Sequence, residues 1–274
     1  MLGLVAASIA GCGSTTRLSS ASSSPSGSNG PPPSLPALPE PIYGNPTNGQ
    51  SPKALLIMIH GGAWQGISPS AVQNMLGIAA VFQVYGFETM TVDYRGGAQG
   101  ISDAGDFYRQ ARRRVGPAMP ICAVGVSAGG HIALMVAVRH PDLNCVIDLA
   151  GPTDLPALAK QPGGAAAYQY AVTAFGTKPL ARLSPALHVG SIKAKLLLIF
   201  AANDPLVPVA QGREMHDLDS ALRYIELPPA TGAGAAPFVH TGVGRPTAAT
   251  EVNGAAAQQS QLAEVSFLNA VTGH

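Results

Sequence analysis

The chain has 274 residues, 46% of them hydrophobic, so it can bury a sizeable core and cannot be disordered throughout. Charged residues make up 11%, and 16 Lys and Arg nearly cancel 15 Asp and Glu to leave a formal net charge of +1. Aromatic residues make up 5%, with a single Trp. This composition excludes the basic or stacking surface that nucleic acids select, so no nucleic-acid partner is expected.

The N-terminal part differs in composition from the rest of the chain. Arg17 is the one charged side chain before Glu40, and Ser, Pro and Gly dominate residues 19–39. Such a stretch buries too little apolar area to offset its ordering entropy, so a disordered linker is predicted. The chain is therefore divided into a segment 1–11, a linker 12–40 and a folded domain 41–274.

An apolar run at residues 2–10 precedes Gly11 and Cys12, and it is much shorter than the roughly 20 residues of a transmembrane helix. The apolar run, small residues and cysteine resemble a bacterial lipoprotein signal, although no Lys or Arg precedes the run. The resemblance implies a lipid anchor on Cys12 and a place in the bacterial cell envelope, anchored to the membrane or secreted. The alternative is an uncleaved N-terminus with an incidental cysteine.

From residue 41 onward, short apolar runs alternate with stretches of helical length. The predicted strands are residues 53–60, 87–94, 121–126, 145–149, 194–201 and 222–226. The predicted helices are residues 69–84, 102–115, 128–139, 209–218 and 254–271, the second with Ser102 as its N-cap. Apolar strands separated by helices predict a doubly wound, mostly parallel α/β sheet covered on both faces. Residues 151–193 interrupt the alternation, with a short helix at 165–175, and are interpreted as a lid-like insertion.

Two cysteines lie within the predicted domain. Cys122 and Cys145 each stand near the start of a predicted strand, so a disulfide is geometrically feasible if these strands are neighbours. An exported protein would keep such a bridge. The alternative is a pair of buried, reduced thiols that pack as small hydrophobic groups.

Two motifs indicate acyl-transfer chemistry. The sequence GVSAGG at 125–130 lies between a predicted strand and a predicted helix, where Ser127 would occupy a sharp turn and Ala128 would offer a backbone N–H. The sequence HGGAW at 60–64 follows the first strong strand, and its small residues Gly62 and Ala63 let N–H groups face a developing oxyanion.

These motifs resemble the α/β-hydrolase family, in particular the HGG-bearing esterases related to hormone-sensitive lipase and to the prolyl-oligopeptidase-like branch. The resemblance covers about 53–274, with Ala63 replacing the third Gly of HGGG and the opening antiparallel strands shortened or missing. It implies the chain order serine, acid, histidine. Asp204, in a D-x-x-V-P pattern after strand 194–201, is then the acid, and His240 before the last helix is the base.

Several residues compete for these roles. Glu226 and Asp154 are rivals for the acid, and His60 is expected to fix the oxyanion loop by hydrogen bonds. Arg95 is expected to pair with Asp103 or Asp106 in a structural role. The remaining histidines are less well placed to act as the base, namely His131, His140, His188, His216 and His274.

No metal or cofactor is implied. The histidines are scattered and no HExxH or CxxC metal-binding motif occurs, and GVSAGG does not match the dinucleotide-binding motif GxGxxG.

The sequence predicts a hydrolase of carboxylic esters that acts on a small-molecule ester through Ser127, Asp204 and His240. One alternative is a prolyl-oligopeptidase-like peptidase, disfavoured because the chain has no room for the propeller that restricts such sites. The other is a non-catalytic surface binding protein with a hydrolase fold.

Overall fold

The computed structural model describes residues 35–47, 49–229 and 251–274, and for residues 251–257 only the backbone. Residues Pro36–His274 belong to one compact unit. Its sheet contains the strands β1 Ile42–Gly44, β2 Leu55–Ile59, β3 Glu88–Val92, β4 Ile121–Val126, β5 Cys145–Leu149, β6 Lys195–Ala201 and β7 Arg223–Leu227. Its helices are α1 Pro69–Val84, α2 Ala98–Val115, α3 Ala128–Arg139, α4 Ala165–Phe175, α5 Ala210–Leu218 and α6 Glu251–Thr272.

The strands form a sheet in the order β1-β3-β2-β4-β5-β6-β7. Strand β1 pairs with β3 in the antiparallel direction, and every other neighbouring pair is parallel. The register aligns Ile59 of β2 with Gly125 of β4, and Gly125 with Asp148 of β5. The loops that follow these three strands therefore leave the sheet side by side at its carboxyl edge.

Two hydrophobic clusters cover the two faces of the sheet. Alternate residues of β2 point to opposite faces, so Leu55 and Ile57 join the cluster that contains α2 and α3, and Leu56 joins the one that contains α1 and α6. Each such side chain contributes about 1.5–3 kcal/mol when fully buried. The predicted doubly wound, mostly parallel sheet is confirmed, and its antiparallel part in the described residues is the three-residue β1.

Predicted bounds of the last two helices differ from the structure by one to three residues, and the predicted start of the second helix is wrong by four. Helix α2 begins at Ala98, four residues before the predicted position, and its N-cap is Gly97 with φ 63° rather than Ser102. Asp103 is the predicted partner of Arg95 and is fully buried, and its carboxylate accepts hydrogen bonds from Arg95 N at 2.8 Å and Nε at 3.0 Å. Burial would raise the pKa of Asp103, but the bonds from Arg95 and Gln99 outweigh it and lower that pKa.

The disulfide between Cys122 and Cys145 is present in the structure. The two residues are direct partners in the register of β4 and β5, with their Cα atoms 4.6 Å apart. This separation lies within the range that disulfides adopt. The bridge closes a loop that contains the serine motif, because Ser127 lies between the two cysteines in the chain.

The insertion at residues 151–193 contains α4 and three short 3-10 stretches at Ala157–Ala159, Leu180–Leu183 and Pro185–Ser191. Gln211 is a fully buried residue of α5 and binds the first residues of the insertion. Its Oε1 accepts from the N–H groups of Thr153 and Asp154, both at 2.7 Å, and its Nε2 donates to Gln161 at 2.7 Å. The start of the insertion is therefore fixed to the helix that follows the segment bearing Asp204.

In the ranges that the structure describes, none of the helices is both long and apolar enough for a membrane span.

Candidate active site

Ser127 occupies the turn between β4 and α3. Its backbone is left-handed, with φ 54° and ψ −123°, and its N–H donates to Leu149 O at 2.8 Å. A Cβ on Gly125 would lie 2.2 Å from Gly129 O, so only glycine allows the chain to turn this sharply into the helix. Ser127 therefore lies on a strained strand-to-helix turn at the carboxyl edge of the sheet.

The HGGAW loop leaves β2 directly beside this turn. A Cβ on Gly61 would lie 3.0 Å from Val126 O and 3.2 Å from Ser127 Cβ, so the loop backbone packs against the serine. Gly62, Ala63 and Trp64 follow with positive φ angles of 122°, 51° and 56°. Three consecutive left-handed residues form a tight, strained turn, which Gln65 N closes by donating to Gly62 O at 3.0 Å.

His60 fixes the start of this loop, as the sequence predicts. Its Nε2 donates to Asp93 Oδ1 at 2.9 Å, and its ring stacks on Tyr94 with centroids 4.5 Å apart. Tyr94 Oη donates to the carbonyl of His60 at 3.0 Å, and Asp93 also accepts from Ser68 N at 3.1 Å. His60 and Asp93 are both buried, so they form part of the scaffold of the loop.

The end of the loop is held by contacts that the sequence did not reveal. Trp64 Nε1 donates to His131 Nδ1 at 3.0 Å, and His131 Nε2 donates to Leu183 O at 2.6 Å. Burial lowers the pKa of His131 to about 4, so the ring is neutral at physiological pH. The available sequence signal was the position of His131 four residues after Ser127, which places it on the same face of α3.

Asp204 follows β6 and is 8% exposed. Its Oδ1 accepts from the N–H groups of Leu206 at 2.8 Å and Val207 at 2.9 Å, so the D-x-x-V-P turn orients the carboxylate. The two rival carboxylates also have partners of their own. Asp154 Oδ1 accepts from Ala157 N at 3.1 Å, and Glu226 forms an ion pair with Arg213 at 2.6 Å, whose hydrogen bond lowers the pKa of Glu226.

His240 lies outside the described residues, as do Cys12 and most of the linker. The loop that carries Gly62 and Ala63 and the turn that carries Ser127 and Ala128 both leave the carboxyl edge of the sheet, where Gly61 lies against Ser127. Asp204 lies after β6, two strands from β4. The other histidines assigned no catalytic role lie at helix ends or in the insertion. His140 packs on Tyr108 and His216 on Tyr224.

The sequence also did not indicate that the carboxyl group of Asp148 is buried beside the helix that follows Ser127. Asp148 Oδ1 accepts from Gly151 N at 2.8 Å, and Oδ2 has no hydrogen-bond partner in the described part of the chain. Burial raises the pKa of Asp148 well above its ordinary range, although the bond from Gly151 opposes this. Among the described residues no three His, Cys, Asp or Glu side chains come together in a way that would hold a metal ion.

The sheet order, the serine turn after β4 and the glycine loop after β2 define an α/β-hydrolase fold. The chain belongs to the BD-FAE family, whose model matches residues 42–218 and thus more than half of the chain. Among curated proteins, no sequence matches this chain.

Solved structures with the same fold are distant in sequence. A truncated carbohydrate esterase from gut microbiota is 18% identical with a TM-score of 0.64, over 85% of this chain and 90% of its own. A hormone-sensitive lipase from a metagenome library is 18% identical with a TM-score of 0.63, over 85% of this chain and 84% of its own. A mutant puromycin hydrolase is 15% identical with a TM-score of 0.63 over 84% of this chain, which spans only 37% of that protein.

Proposed function

We propose that the protein is a serine hydrolase that cleaves carboxylic esters through Ser127, His240 and Asp204. The observation that carries the proposal is the strained, left-handed Ser127 at the strand-to-helix turn, with Gly61 of the HGGAW loop packed against it. A nucleophile and an oxyanion loop in direct contact supply the two parts that acyl transfer requires. The orientation of Asp204 by two backbone N–H groups supports its assignment as the acid.

In the first half of the reaction, Ser127 Oγ attacks the ester carbonyl carbon while His240 accepts the hydroxyl proton. Asp204 orients His240 and stabilises the imidazolium that forms. The tetrahedral intermediate then breaks its bond to the alcohol oxygen, which receives the proton from His240. In the second half, water attacks the acyl carbon while His240 accepts its proton. The bond from the acyl carbon to Ser127 Oγ then breaks, Oγ takes the proton from His240, and the acid product leaves.

The oxyanion is assigned to backbone N–H groups of Ala128 and of the turn formed by Gly62, Ala63 and Trp64. Ala128 is the first residue of α3, where N–H groups lack intrahelical partners and the helix dipole is positive. The three residues of this turn have positive φ angles and follow Gly61, which lies against Ser127. Each such donor contributes about 10²–10³ in kcat in related chemistry.

The proposed substrate is a small-molecule carboxylic ester. Proteins with the same fold include an enzyme described as a carbohydrate esterase and another described as a hormone-sensitive lipase. A puromycin hydrolase shares the fold as well, and the competing proposal is a prolyl-oligopeptidase-like peptidase.

We expect the full chain to hydrolyse p-nitrophenyl acetate and butyrate and to react with a fluorophosphonate probe at one site. An activated serine reacts with such probes, whereas an ordinary serine does not. Release of p-nitrophenol and the mass of the labelled peptide measure the two results. Cleavage of aminoacyl p-nitroanilides in preference to esters would favour a peptidase, and a protein that is neither active nor labelled would be a binding protein.

The localisation is also a proposal, namely lipid anchoring through Cys12 in the bacterial cell envelope. The disulfide between Cys122 and Cys145 supports it, because such bridges persist in oxidising compartments.

A fatty-acid analogue supplied to an expressing bacterium should label the full chain, and Cys12→Ala should remove the label and release the protein from the membrane fraction. The reason is that the thiol of Cys12 is the attachment point in the proposed lipoprotein signal. Gel fluorescence and membrane fractionation measure both effects. An unlabelled, soluble wild type would contradict the anchor, and a membrane-bound Cys12→Ala protein would show a different means of attachment.

A further inference from the structure

A continuous chain of hydrogen bonds links the HGGAW loop to the insertion through one histidine. Trp64 Nε1 donates to His131 Nδ1 at 3.0 Å, and His131 Nε2 donates to Leu183 O at 2.6 Å. His131 is completely buried and Trp64 is 2% exposed. Three segments distant in sequence, namely the loop after β2, helix α3 and the end of the insertion, therefore meet at His131.

The contacts fix the tautomer of the ring. A carbonyl oxygen can only accept, so Leu183 requires a proton on Nε2, and an indole N–H can only donate, so Trp64 requires a lone pair on Nδ1. Burial lowers the pKa of His131 to about 4, the bond to Leu183 opposes this, and the charge of Arg139 adds to it. A neutral ring is therefore kept over the range in which a catalytic histidine works.

The loop needs such an anchor because its backbone is strained. Ala63 and Trp64 both have positive φ angles, which residues with a Cβ adopt only where the surroundings hold them. The indole ring of Trp64 meets His131 edge to face at 5.4 Å and Phe175 of the insertion at 5.3 Å, and Trp64 O accepts from Gly97 N at 2.8 Å. The hydrogen bond to His131 is the directional contact of the side chain.

We propose that His131 is a positioning residue that acts through Trp64 to hold the N–H groups of the 62–64 turn toward the oxyanion. The proposal rests on the esterase function proposed above. The proposal assigns different roles to the two ring nitrogens. The acceptor at Nδ1 holds Trp64 and so the oxyanion turn, whereas the donor at Nε2 only attaches the insertion.

Two substitutions separate the two nitrogens. In His131→Asn the side-chain oxygen can take the place of Nδ1 and keep the acceptor for Trp64. In His131→Gln the terminal nitrogen can take the place of Nε2, keep the donor to Leu183 and lose the acceptor. We expect His131→Asn to retain kcat within about fivefold and His131→Gln to lose about 100-fold, with little change in KM, as a misplaced oxyanion donor costs that much.

The single tryptophan provides a second readout that does not depend on activity. The indole N–H of Trp64 gives one NMR signal, which a strong acceptor shifts downfield. Both substitutions remove the ring-current effect of the imidazole, so small shifts are expected in each. The indole signal and the backbone amide signals of Ala63 and Trp64 should move clearly farther in His131→Gln than in His131→Asn. His188→Gln is the control, because His188 lies in the insertion with an exposed hydrogen bond to Arg182 O.

A purely structural role would lower kcat equally in both variants, or in neither, and that result would overturn the proposal. It would also be overturned if the amide signals of the turn moved no farther in His131→Gln than in His131→Asn. Circular dichroism identifies a variant that fails to fold, and if His131→Gln fails, Trp64→Phe tests the same contact by removing the indole donor. A folded wild type that hydrolyses no ester would contradict the esterase function, and the NMR signals would still decide whether His131 positions the loop.

Discussion

Replacing Ser127 with alanine is expected to abolish ester hydrolysis while leaving the fold intact. The reaction needs the hydroxyl oxygen as the attacking atom, and in subtilisin the loss of the serine lowers kcat about 10⁶-fold. Alanine is close to serine in size, and it can occupy the backbone at φ 54° about as well, since neither residue is favoured there. The N–H of residue 127 keeps its bond to Leu149 O.

The measurement compares initial rates on p-nitrophenyl butyrate with thermal unfolding of the same samples. Ser191→Ala is a matched control, because its hydroxyl is exposed and donates to His188 O within the insertion. We expect this control to retain full activity. If Ser127→Ala hydrolyses the ester at the wild-type rate and keeps its Tm, Ser127 is not the nucleophile.

The parts of the fold that sequence predicted best are buried elements with sharp boundaries. Strands 121–126 and 145–149 and helices 69–84 and 128–139 have their predicted bounds. Each is a continuous apolar stretch or is flanked by residues that start or stop a helix, such as Ser68 before Pro69 in α1.

The start of α2 depends on a packing contact that such sequence signals do not include. Residues 96–100 read as a loop because three of the five are glycines, yet the helix begins at Ala98. The absence of a side chain at Gly100 lets the first turn pack on Tyr94, since a Cβ there would lie 2.7 Å from the ring. A tertiary contact therefore outweighs the low helix propensity of glycine, and a single sequence does not reveal such a contact.

The same limit applies to the candidate site. The positions of Ser127, the HGGAW loop and Asp204 follow from motifs that are local in sequence and come after strands. The contacts of His131 with Trp64 and Leu183, and of Gln211 with Thr153 and Gln161, join segments separated by 50 residues or more. Such partners depend on how the insertion packs, so no local spacing indicates them.

Buried side chains hold the insertion to the rest of the domain. Gln211 of α5 binds the first part of the insertion and His131 of α3 binds Leu183 in its later part. Ser184 Oγ accepts from Leu155 N at 3.0 Å, which joins the two parts of the insertion to each other. Gln211 and Ser184 are fully buried, so these bonds are shielded from water. Each part of the segment therefore has one hydrogen-bonded attachment to a helix outside it.

Asp204→Asn is expected to lower kcat about 10⁴-fold with little change in KM, as the corresponding change does in a serine protease. The carboxylate fixes the tautomer of the base and stabilises its charged form, and an amide can do neither. The turn itself should survive, because an asparagine oxygen can still accept from the N–H groups of Leu206 and Val207.

The rival carboxylates provide the matched controls for this experiment. Glu226→Gln loses an exposed ion pair with Arg213, which costs at most about 1 kcal/mol of stability and no catalytic group. Asp154→Asn keeps an oxygen that can accept from Ala157 N. Both should retain wild-type kcat, so steady-state kinetics of the three variants identify the acid. If Glu226→Gln is instead the variant that loses activity, the acid lies on the next strand, and Asp204 merely shapes the turn that follows β6.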